Sequence, residues 1–497
     1  MKNNFIRTLA LTLSLILVIG LTACGKATTS SDSSELSDPV ASVGSGDSAP
    51  EGSSGEQTVS EPEKVQTSVS GLTKAGSEVK ADDYNLSAGS SIESRVDLKG
   101  KTLKMAVFNT ANYTSSEFER KKKAFEAQYG CTVKVSSFAF GSTYTQAVSN
   151  AVAAGDPYDI AFMHGSWFND AIASNAYQPL NKSISKDDLL TSDYKGIDLT
   201  KSAECSWNGN LYGVCGYKSV NPVLIFYNKK MFNQAGLEDP RTLYEKGQWS
   251  WSKFIEMGLK VTDASNNQWF GEFNFFRAEV VATYGGSPIT FKDGKPTASI
   301  SQKNYINGLK LIQTLGYGSN KIIKTQGNED QLQDFFGGKT YVYLEESDRY
   351  ITIMNKISNL NAFASNGDNL GIVPLPLGGS NTSYPTGWIE VAASPNGSNP
   401  DYAVAWAKFS ANYNDPVKND ITVMSSADKQ LILKLLSDIL PRRCGYSDSS
   451  IAMSELEWNL CTDTANKGMD ISASVKSYEP RMQSCIDATL SNLAKIK

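Results

Sequence analysis

Between Thr102 and Met163 the sequence alternates strand patterns with helix patterns, and this alternation restricts the folds open to the chain. In the first strand pattern every second residue is apolar, as Leu103, Met105 and Val107 are. The predicted elements are strand Thr102–Phe108, a helix from Ser116 to Tyr129, strand Thr132–Phe138, a helix that carries Tyr144 and Val152, and strand Asp159–Met163. Such alternation predicts parallel strands joined by right-handed crossover helices, and so a doubly wound α/β lobe.

The first of these helices carries signals for both of its ends. Ser116 and Glu119 match a capping box, in which each side chain satisfies a free backbone N–H at the helix start. Gly130 follows the last apolar position, and glycine accepts the left-handed backbone that commonly ends a helix.

A second constraint lies between Leu211 and Leu237, where two apolar strand patterns flank a polar crossing. The strands are Leu211–Gly216 and Val223–Tyr227, and the crossing is Tyr217–Asn221. The crossing is too open for a tight hairpin. It suits a hinge between two lobes and an ordinary loop within one domain equally well, so the pattern alone does not decide between them.

The residue motifs in and after this segment indicate a family. They are Leu211-Tyr-Gly, the strand that ends Phe-Tyr-Asn-Lys229, then Met231-Phe-x-x-Ala-Gly-Leu-x-x-Pro240 and Trp249-Ser-Trp-Ser-x-Phe254. In their order and spacing they resemble the extracellular solute-binding proteins of ABC importers, the family that binds maltose and other sugars. The resemblance extends from about residue 101 to about residue 415.

This resemblance implies a periplasmic-binding-protein-like fold, an α/β architecture of two lobes joined by a hinge with the ligand cleft between them. We assign residues 100–217 and 371–415 to the first lobe. Residues 221–368 and 416–497 are assigned to the second lobe.

Ligands of doubly wound lobes bind beyond the carboxyl ends of the strands. The first strand brings Asn109 and Tyr113 to that edge, and the third brings His164 and Trp167. His164 fits either a contact with a polar ligand or a plain loop position, and Trp167 fits either a cleft wall or the core. We predict that all four residues line the cleft.

In the second lobe the resemblance places the cleft after two segments. One is the aromatic run Gln268–Phe276, and the other is the strand in Asp334-Phe-Phe-Gly-Gly-Lys-Thr-Tyr-Val-Tyr-Leu-Glu-Glu346, which resembles the family's Phe-x-x-Gly-Lys-Ala-Ala-Met strand. Relatives often have Gly-x-Trp after this strand, whereas this chain has acids and an arginine, which keeps a cationic ligand open. The implied cleft residues are Glu272, Asn274, Arg277, Glu346, Asp348 and Arg349.

Trp388 is the strongest single candidate for a ligand contact. It ends the loop Tyr384-Pro-Thr-Gly-Trp388, where the family commonly places cleft residues. An indole can stack on the C–H face of a sugar ring, although a place in the core stays open. We also predict that Tyr217, in the hinge crossing, contacts the ligand.

Several classes of function are disfavoured by the sequence. The 47 basic and 52 acidic residues give a net charge of −5, whereas nucleic-acid binders usually concentrate basic charge. His164 is the single histidine, which argues against His-based triads and multi-His metal sites. Glu345 and Glu346 are neighbours on a strand and point to opposite faces, so they make a poor glycosidase pair. We expect a protein that is not an enzyme and holds no cofactor or metal.

The amino-terminal residues have the pattern of a lipoprotein signal. Lys2 and Arg7 precede an uncharged apolar run that ends in Leu21-Thr-Ala-Cys24-Gly. This end resembles the bacterial lipobox, which implies cleavage after residue 23 and lipidation of Cys24, for example with palmitate. Residues 24–92 are rich in Ser and Gly and are predicted to form a disordered tether. We therefore expect a lipid anchor in the cell membrane, with the folded part on the extracellular side.

Six cysteines remain after Cys24, and the sequence does not determine their pairing. Cys205 and Cys215 flank a Trp-Asn-Gly-Asn turn and could face each other across a hairpin, but free buried thiols fit equally well. The six are Cys131, Cys205, Cys215, Cys444, Cys461 and Cys485.

These observations lead to one expectation with alternatives. We expect a monomeric lipoprotein that captures a sugar or oligosaccharide by hinge closure and delivers it to the transmembrane subunits of an ABC permease. The alternatives are a surface binding or sensor lipoprotein for another solute, such as a peptide or polyamine, and a secreted glycoside hydrolase.

Overall fold

The computed structural model describes residues 80–496 except residues 194, 217–221, 274–275, 293–294, 325–330, 348–352, 354–369, 388, 415–424, 438, 441–444 and 449. Six predicted functional residues lie outside the described residues: Cys24, Tyr217, Asn274, Asp348, Arg349 and Trp388. Among the described helices, none combines the length and apolar character that crossing a membrane requires.

The described elements alternate in type along most of the chain. The strands are β1 Thr102–Phe108, β2 Thr132–Phe138, β3 Ala161–His164, β4 Tyr177–Gln178, β5 Ser206–Trp207, β6 Asn210–Leu211, β7 Gly213–Val214, β8 Val223–Asn228, β9 Trp269–Glu272, β10 Ile289–Lys292, β11 Lys295–Ala298, β12 Ile323–Lys324, β13 Thr340–Glu346, β14 Leu370–Pro374, β15 Tyr384–Pro385, β16 Glu390–Pro395 and β17 Ile439–Leu440. The α-helices are α1 Ile92–Arg95, α2 Ala111–Thr114, α3 Ser116–Tyr129, α4 Ser142–Ala153, α5 Phe168–Ala173, α6 Leu199–Ser202, α7 Lys229–Gln234, α8 Pro240–Glu245, α9 Trp251–Val261, α10 Arg277–Ala282, α11 Lys303–Gly316, α12 Gln331–Phe336, α13 Pro400–Asn412, α14 Ser426–Ser437, α15 Met453–Lys467 and α16 Ile471–Leu493.

The first lobe begins with parallel strands, as the sequence predicts. β1 and β2 pair in parallel from Thr102 opposite Thr132 to Phe108 opposite Phe138. Ile160 bridges Met105, also in parallel, and leads into β3. The other edge of β3 pairs with β16 in antiparallel fashion, so the chain returns to this lobe late in the sequence.

The start of α3 differs by one residue from the prediction. Ser115, not Ser116, is the N-cap: its side chain accepts a hydrogen bond from the backbone N–H of Phe118. The backbone of Ser115 is extended, which a cap requires, whereas Ser116 is already helical. Gly130 ends this helix with φ +64°, as predicted.

The core of the first lobe joins the early strands to the late return. Phe108, Phe125, Tyr144 and Val148 are fully buried. Trp406 of α13 packs edge-on against Phe125, with ring centroids 5.1 Å apart. Residues almost 300 positions apart therefore share one apolar core.

Residues just before β1 belong to this core as well, so the tether predicted for residues 24–92 ends earlier. Tyr84 is 2 % exposed and Ile92 is fully buried. The backbone N–H of Ile92 donates to Asp188 at 2.7 Å. These apolar anchors explain why residues 80–92 pack on the lobe despite their polar composition.

The second lobe contains a five-stranded sheet in the order β12–β9–β13–β8–β14. β8 lies antiparallel to both of its neighbours, β13 and β14. All six residues of β8 are buried, which its unbroken apolar run explains. Residues 371–374, which we assigned to the first lobe, lie in β14 and therefore pair within this second sheet.

Helices from the middle and from the carboxyl-terminal part of the chain share one core with this sheet. Phe254 of α9, Leu309 of α11, Leu460 of α15 and Ile486 of α16 are all fully buried in the second core. Ser250 caps α9 by accepting a hydrogen bond from Lys253 N, as its position in the sequence predicts. The two cores, with opposing strand ends between them, make the two-lobed α/β fold that the sequence predicts.

The described cysteines carry no disulfide. Cys131, Cys205, Cys215, Cys461 and Cys485 are thiols that form no disulfide, and Cys444 lies outside the described residues. Burial raises the pKa of the Cys205 thiol well above its ordinary value. Cys205 and Cys215 are thus buried thiols in this structure and not a bridge.

Candidate functional site

Aromatic rings gather at the carboxyl ends of β1 and β3, where the sequence predicts the ligand site. Phe108 is at the centre, with ring centroids 4.9 Å from Tyr113 and 5.6 Å from Trp167. The Phe140 ring lies 4.7 Å from Trp167 and 5.0 Å from His164. We call Phe108, Tyr113, Phe140, His164 and Trp167 the aromatic group. Three of the four first-lobe candidates therefore belong to one contiguous surface.

Phe140 is the member of this group that sequence reasoning missed. It lies just beyond β2, and 48 % of its surface is exposed. Its exposed ring packs edge-on against both Phe108 and Trp167, with interplanar angles of 84° and 64°. The signal for it was available, because β2 is parallel to β1 and its carboxyl end must reach the same edge.

His164 is held in place by its own loop. Only 6 % of the residue is exposed. Its Nδ1 atom accepts a hydrogen bond from the Ser166 backbone N–H at 3.2 Å and lies 2.7 Å from the Ser166 hydroxyl oxygen. Both contacts involve the residue two positions away, so this is a local turn that orients the imidazole. An accepting Nδ1 places the proton of the neutral ring on Nε2.

Tyr113 and Glu390 form a polar pair beside the aromatic group. The Tyr113 hydroxyl donates to the Glu390 carboxylate, and burial, reinforced by that negative charge, raises the pKa of Tyr113 well above its ordinary value. Glu390 stands directly opposite His164 in the pairing of β16 with β3. Sequence reasoning singled out the loop before β16 but not Glu390, the first residue of the strand.

Asn109 lies at the mouth of the site. Its side chain is exposed at the end of β1, while its backbone N–H donates to Phe138 O at 2.7 Å. An exposed amide at this position can both donate hydrogen bonds to a polar ligand and accept them.

Glu346 approaches the same region from the second lobe. Its side chain lies against the backbone of Gly387, where even a Cβ atom would overlap the carboxylate. Ser347 N donates to Pro222 O at 3.0 Å, and Pro222 bridges Thr386. Three elements therefore meet here: the carboxyl end of β13, the start of β8 and the loop before β16. Trp388 follows Gly387 in the sequence.

Two residues that the resemblance implied for the cleft lie elsewhere. Arg277 is 4 % exposed, and its guanidinium donates to Thr462 Oγ1 at 3.0 Å and to Asn466 Oδ1 at 3.4 Å, both on α15. Burial lowers the pKa of Arg277. Glu272 is 1 % exposed. Arg277 therefore links α10 to α15, whereas Glu272 is buried at the end of β9.

The described residues hold no cluster of three or more His, Cys, Asp or Glu side chains that could bind a metal ion. The described site combines an aromatic surface with the Asn109 amide and the Glu390 carboxylate, and the Glu346 carboxylate contacts the loop that leads to Glu390. Such a combination suits reversible binding of a polar molecule that has flat apolar faces.

A family model settles the classification of this architecture. The model for bacterial extracellular solute-binding proteins matches residues 110–412. The chain belongs to this family. The match spans four of the five residues of the aromatic group, all but Phe108, and continues through the second-lobe sheet and the return through β16.

Several solved structures share this fold. An ABC substrate-binding protein from Listeria monocytogenes in complex with cycloalternan superposes with a TM-score of 0.60 at 15 % identity, covering 78 % of this chain and 100 % of the other. Maltose-bound MalE3 of T. maritima gives 0.58 at 16 % identity, covering 78 % and 100 %. UgpB from Mycobacterium tuberculosis in complex with glycerophosphocholine gives 0.57 at 16 % identity, covering 77 % and 98 %. No curated protein sequence matches the chain.

Proposed function

We propose that this solute-binding protein is the substrate-binding lipoprotein of an ABC importer and that its ligand is a sugar or oligosaccharide. The observation that supports this most is the aromatic group, in which a half-exposed Phe140 packs beside Trp167 at a strand edge. Aromatic faces stack on the C–H faces of sugar rings at a low cost in entropy. Asn109, Glu390 and Glu346 supply hydrogen-bonding groups for hydroxyls nearby.

The proposed mechanism is hinge closure. A ligand that contacts the aromatic group and the Glu346 edge together makes its full set of contacts only when the lobes approach. Its differential affinity for that state shifts the population toward closure. The closed protein then presents a surface that the permease recognises, and Cys24 with its acyl chains keeps the protein at the extracellular face of the membrane.

The comparisons support a saccharide ligand and also supply the main competitor. Two of the similar structures hold cycloalternan and maltose, whereas another holds glycerophosphocholine. A screen should therefore contain maltose, maltotetraose, cycloalternan, glycerophosphocholine, spermidine and a tripeptide. Thermal unfolding of the mature chain is a suitable measurement, since a ligand at 100 times its Kd stabilises the folded state by about 2.7 kcal/mol.

Substitution of Phe140 distinguishes specific binding from a general effect. Because Phe140 is half exposed, Phe140→Ala should leave the melting temperature of the free protein nearly unchanged but weaken saccharide binding by at least tenfold. Tyr317→Ala is the matched control, since that ring is 51 % exposed and lies outside the first core. Stabilisation by spermidine or the tripeptide alone would refute the proposal of a saccharide ligand. Consumption of a saccharide would show that the protein is an enzyme and refute the proposal of a binding protein.

A further inference from the structure

The carboxyl-terminal helix α16 joins the two lobes. Val475, Met482 and Ile486 lie in the second core, whereas Leu493 near its end is buried in the first. The helix therefore passes from one core to the other within a few turns. Any contact along its last turns bears on how the lobes are held together.

One polar contact lies on this passage. Asp170 of α5 accepts a hydrogen bond at Oδ1 from the Thr489 hydroxyl at 2.8 Å. Thr489 is 1 % exposed, and its oxygen accepts a hydrogen bond from Ser447 N at 3.0 Å. The Ser447 side chain and backbone also donate toward the Asp170 carboxylate. One carboxylate thus connects α5, α16 and the loop before α15.

This contact adjoins the ligand-binding edge. α5 begins immediately after Trp167 of the aromatic group. The loop that carries Ser447 is packed closely here as well, because a Cβ on Gly445 would lie 2.7 Å from Gly165 O and 3.4 Å from Phe168 N. A change in the contact at Asp170 is therefore transmitted directly to the turn that orients His164 and Trp167.

We propose that Asp170 is a positioning residue that couples the ligand-binding edge of the first lobe to α16, and that its charge state regulates how firmly this edge is held. The inference rests on the proposed function, because it concerns regulation of the same site. It names a residue that does not itself contact the ligand.

The charge of the Asp170 carboxylate changes with pH near pH 6. Burial raises the pKa of Asp170 to about 6, against the hydrogen bonds from Thr489 and Ser447, which lower it. The pKa in the contact is thus above the ordinary 3.8, so the intact contact binds the proton more tightly than a hydrated carboxylate does. The contact is therefore favoured as the pH falls, and it weakens as the pH rises through about 6.

Two neighbouring groups of this contact, Cys485 and Asp448, have pKa values shifted away from that range. The Cys485 thiol on α16 interacts with Asp170, and its own pKa is raised to about 11, chiefly by burial. Asp448 and Arg481 face Cys485 in turn, and hydrogen bonds from Ser450 and Ile451 lower the pKa of Asp448. On the strand before α5, His164 is engaged by Ser166. Asp170→Asn leaves His164 unchanged, so a pH dependence that disappears in this variant belongs to Asp170.

Hydrogen exchange measured on the mature chain tests this proposal without any ligand. The peptides of interest cover α5 and the last turns of α16, and wild type is compared with Asp170→Asn at each pH so that the intrinsic pH dependence of exchange cancels. Asn is the isostere of protonated Asp. The ratio of the wild-type exchange rate to that of Asp170→Asn should rise about tenfold between pH 5 and pH 7.5. An equal ratio at both pH values would overturn the proposal.

Two further variants sharpen this test. Thr489→Val removes a hydrogen bond that lowers the pKa of Asp170, so the pH midpoint of the loosening should shift upward. An unshifted midpoint would count against the coupling. Asp156→Asn is the matched control, because that carboxylate is 84 % exposed on the same lobe, and its profile should match wild type. If Thr489→Val does not fold, Asp170→Asn alone decides.

Ligand binding adds a separate readout. With a saccharide from the screen, the wild-type affinity should be up to about tenfold higher at pH 5 than at pH 7.5, and this dependence should disappear in Asp170→Asn. Failure of every saccharide to bind refutes the proposed function and leaves the exchange result intact. A saccharide that binds with the same pH profile in both proteins refutes the coupling alone.

Discussion

The Nζ atom of Lys408 lies 2.9 Å from Oδ1 of Asp188, and the two side chains are 9 % and 0 % exposed. Lys408 also donates to Glu93 Oε2 at 2.7 Å and to Ser91 Oγ at 2.8 Å. One buried ammonium group thereby holds residues 91–93 against the first lobe. Its ion pair with Asp188 joins residues 220 positions apart.

Removal of this ammonium group should be strongly destabilising. In Lys408→Ala the buried Asp188 carboxylate loses its shorter ion pair and keeps the one with Arg95, at 3.4 Å. Breaking a buried ion pair typically costs about 3–5 kcal/mol. The free energy of unfolding in urea should fall by that amount. Lys104→Ala removes an exposed pair with Asp156 and is the control; it should cost less than about 1 kcal/mol. Equal losses in the two variants would contradict the special role of Lys408.

The same ion pair predicts a loss of stability in acid. Burial favours the neutral form of Asp188, but hydrogen bonds from Ile92 N, Ser185 and Lys408 outweigh it and lower the pKa of Asp188 below its ordinary 3.8. The folded state thus binds the Asp188 proton less tightly than the unfolded state. Its contribution is complete above about pH 4 and is lost as the pH falls through the lower folded value. Urea unfolding from pH 6 to pH 2 should show this loss, and Asp188→Asn should lack it.

Tyr113→Phe tests the polar pair beside the aromatic group. The substitution removes the hydrogen bond to Glu390 but keeps the ring that packs against Phe108. A hydrogen bond to a charged group is worth about 1.5–3 kcal/mol, so the free energy of unfolding should fall by about that much. Saccharide affinity should fall about tenfold, because Glu390 loses its orienting donor. Unchanged affinity in a titration calorimeter would show that Glu390 does not contact the ligand.

Gly387→Ala tests the meeting point of the two lobes. A Cβ at residue 387 would overlap the Glu346 carboxylate, which is the end of a flexible side chain and can move away. We therefore expect a small change in melting temperature but a loss of at least tenfold in saccharide affinity. Gly379→Ala introduces the same methyl group in a turn with φ +62° and little nearby. It should lower stability through backbone strain and leave affinity unchanged.

Cys24→Ser tests the lipid anchor. A protein without that thiol cannot receive the acyl chain, so it should appear in the culture medium and not in the membrane fraction. Mass spectrometry of the wild-type amino-terminal peptide should show a mass increase for acyl chains on Cys24. A wild-type protein that starts elsewhere, or that lacks the acyl mass, would contradict the lipoprotein proposal.

Local sequence patterns predicted the elements of the first lobe well. β1 and β2 have the predicted bounds, although apolar alternation holds only at the start of β1 and residues 105–108 are buried on both faces of the strand. The same reasoning placed Tyr113, His164 and Trp167 at one strand edge. The N-cap of α3 was off by one residue, because Ser115 and Ser116 both have a capping side chain and only the backbone conformation distinguishes them.

The contacts that complete the site were beyond reach of such patterns. Asp170 and Thr489 are separated by 319 positions, and nothing near either residue indicates the other. The aromatic and polar residues that precede Arg277 in the sequence are those expected beside a ligand cleft, yet its side chain is buried against α15. β14 has an apolar, proline-containing pattern that fits either lobe. Its pairing with β8 places it in the second lobe.

By itself, the sequence determined the α/β class, the family and the strand ends that carry the aromatic group, because periodicity and short motifs are local properties of a chain. Tertiary structure alone decided that residues 80–92 pack on the first lobe, that Glu346 meets Gly387, and that α16 links the two cores. Each of these depends on which distant segments share a buried surface. Burial and hydrogen bonding between such segments are set by the global packing, and no local pattern encodes them.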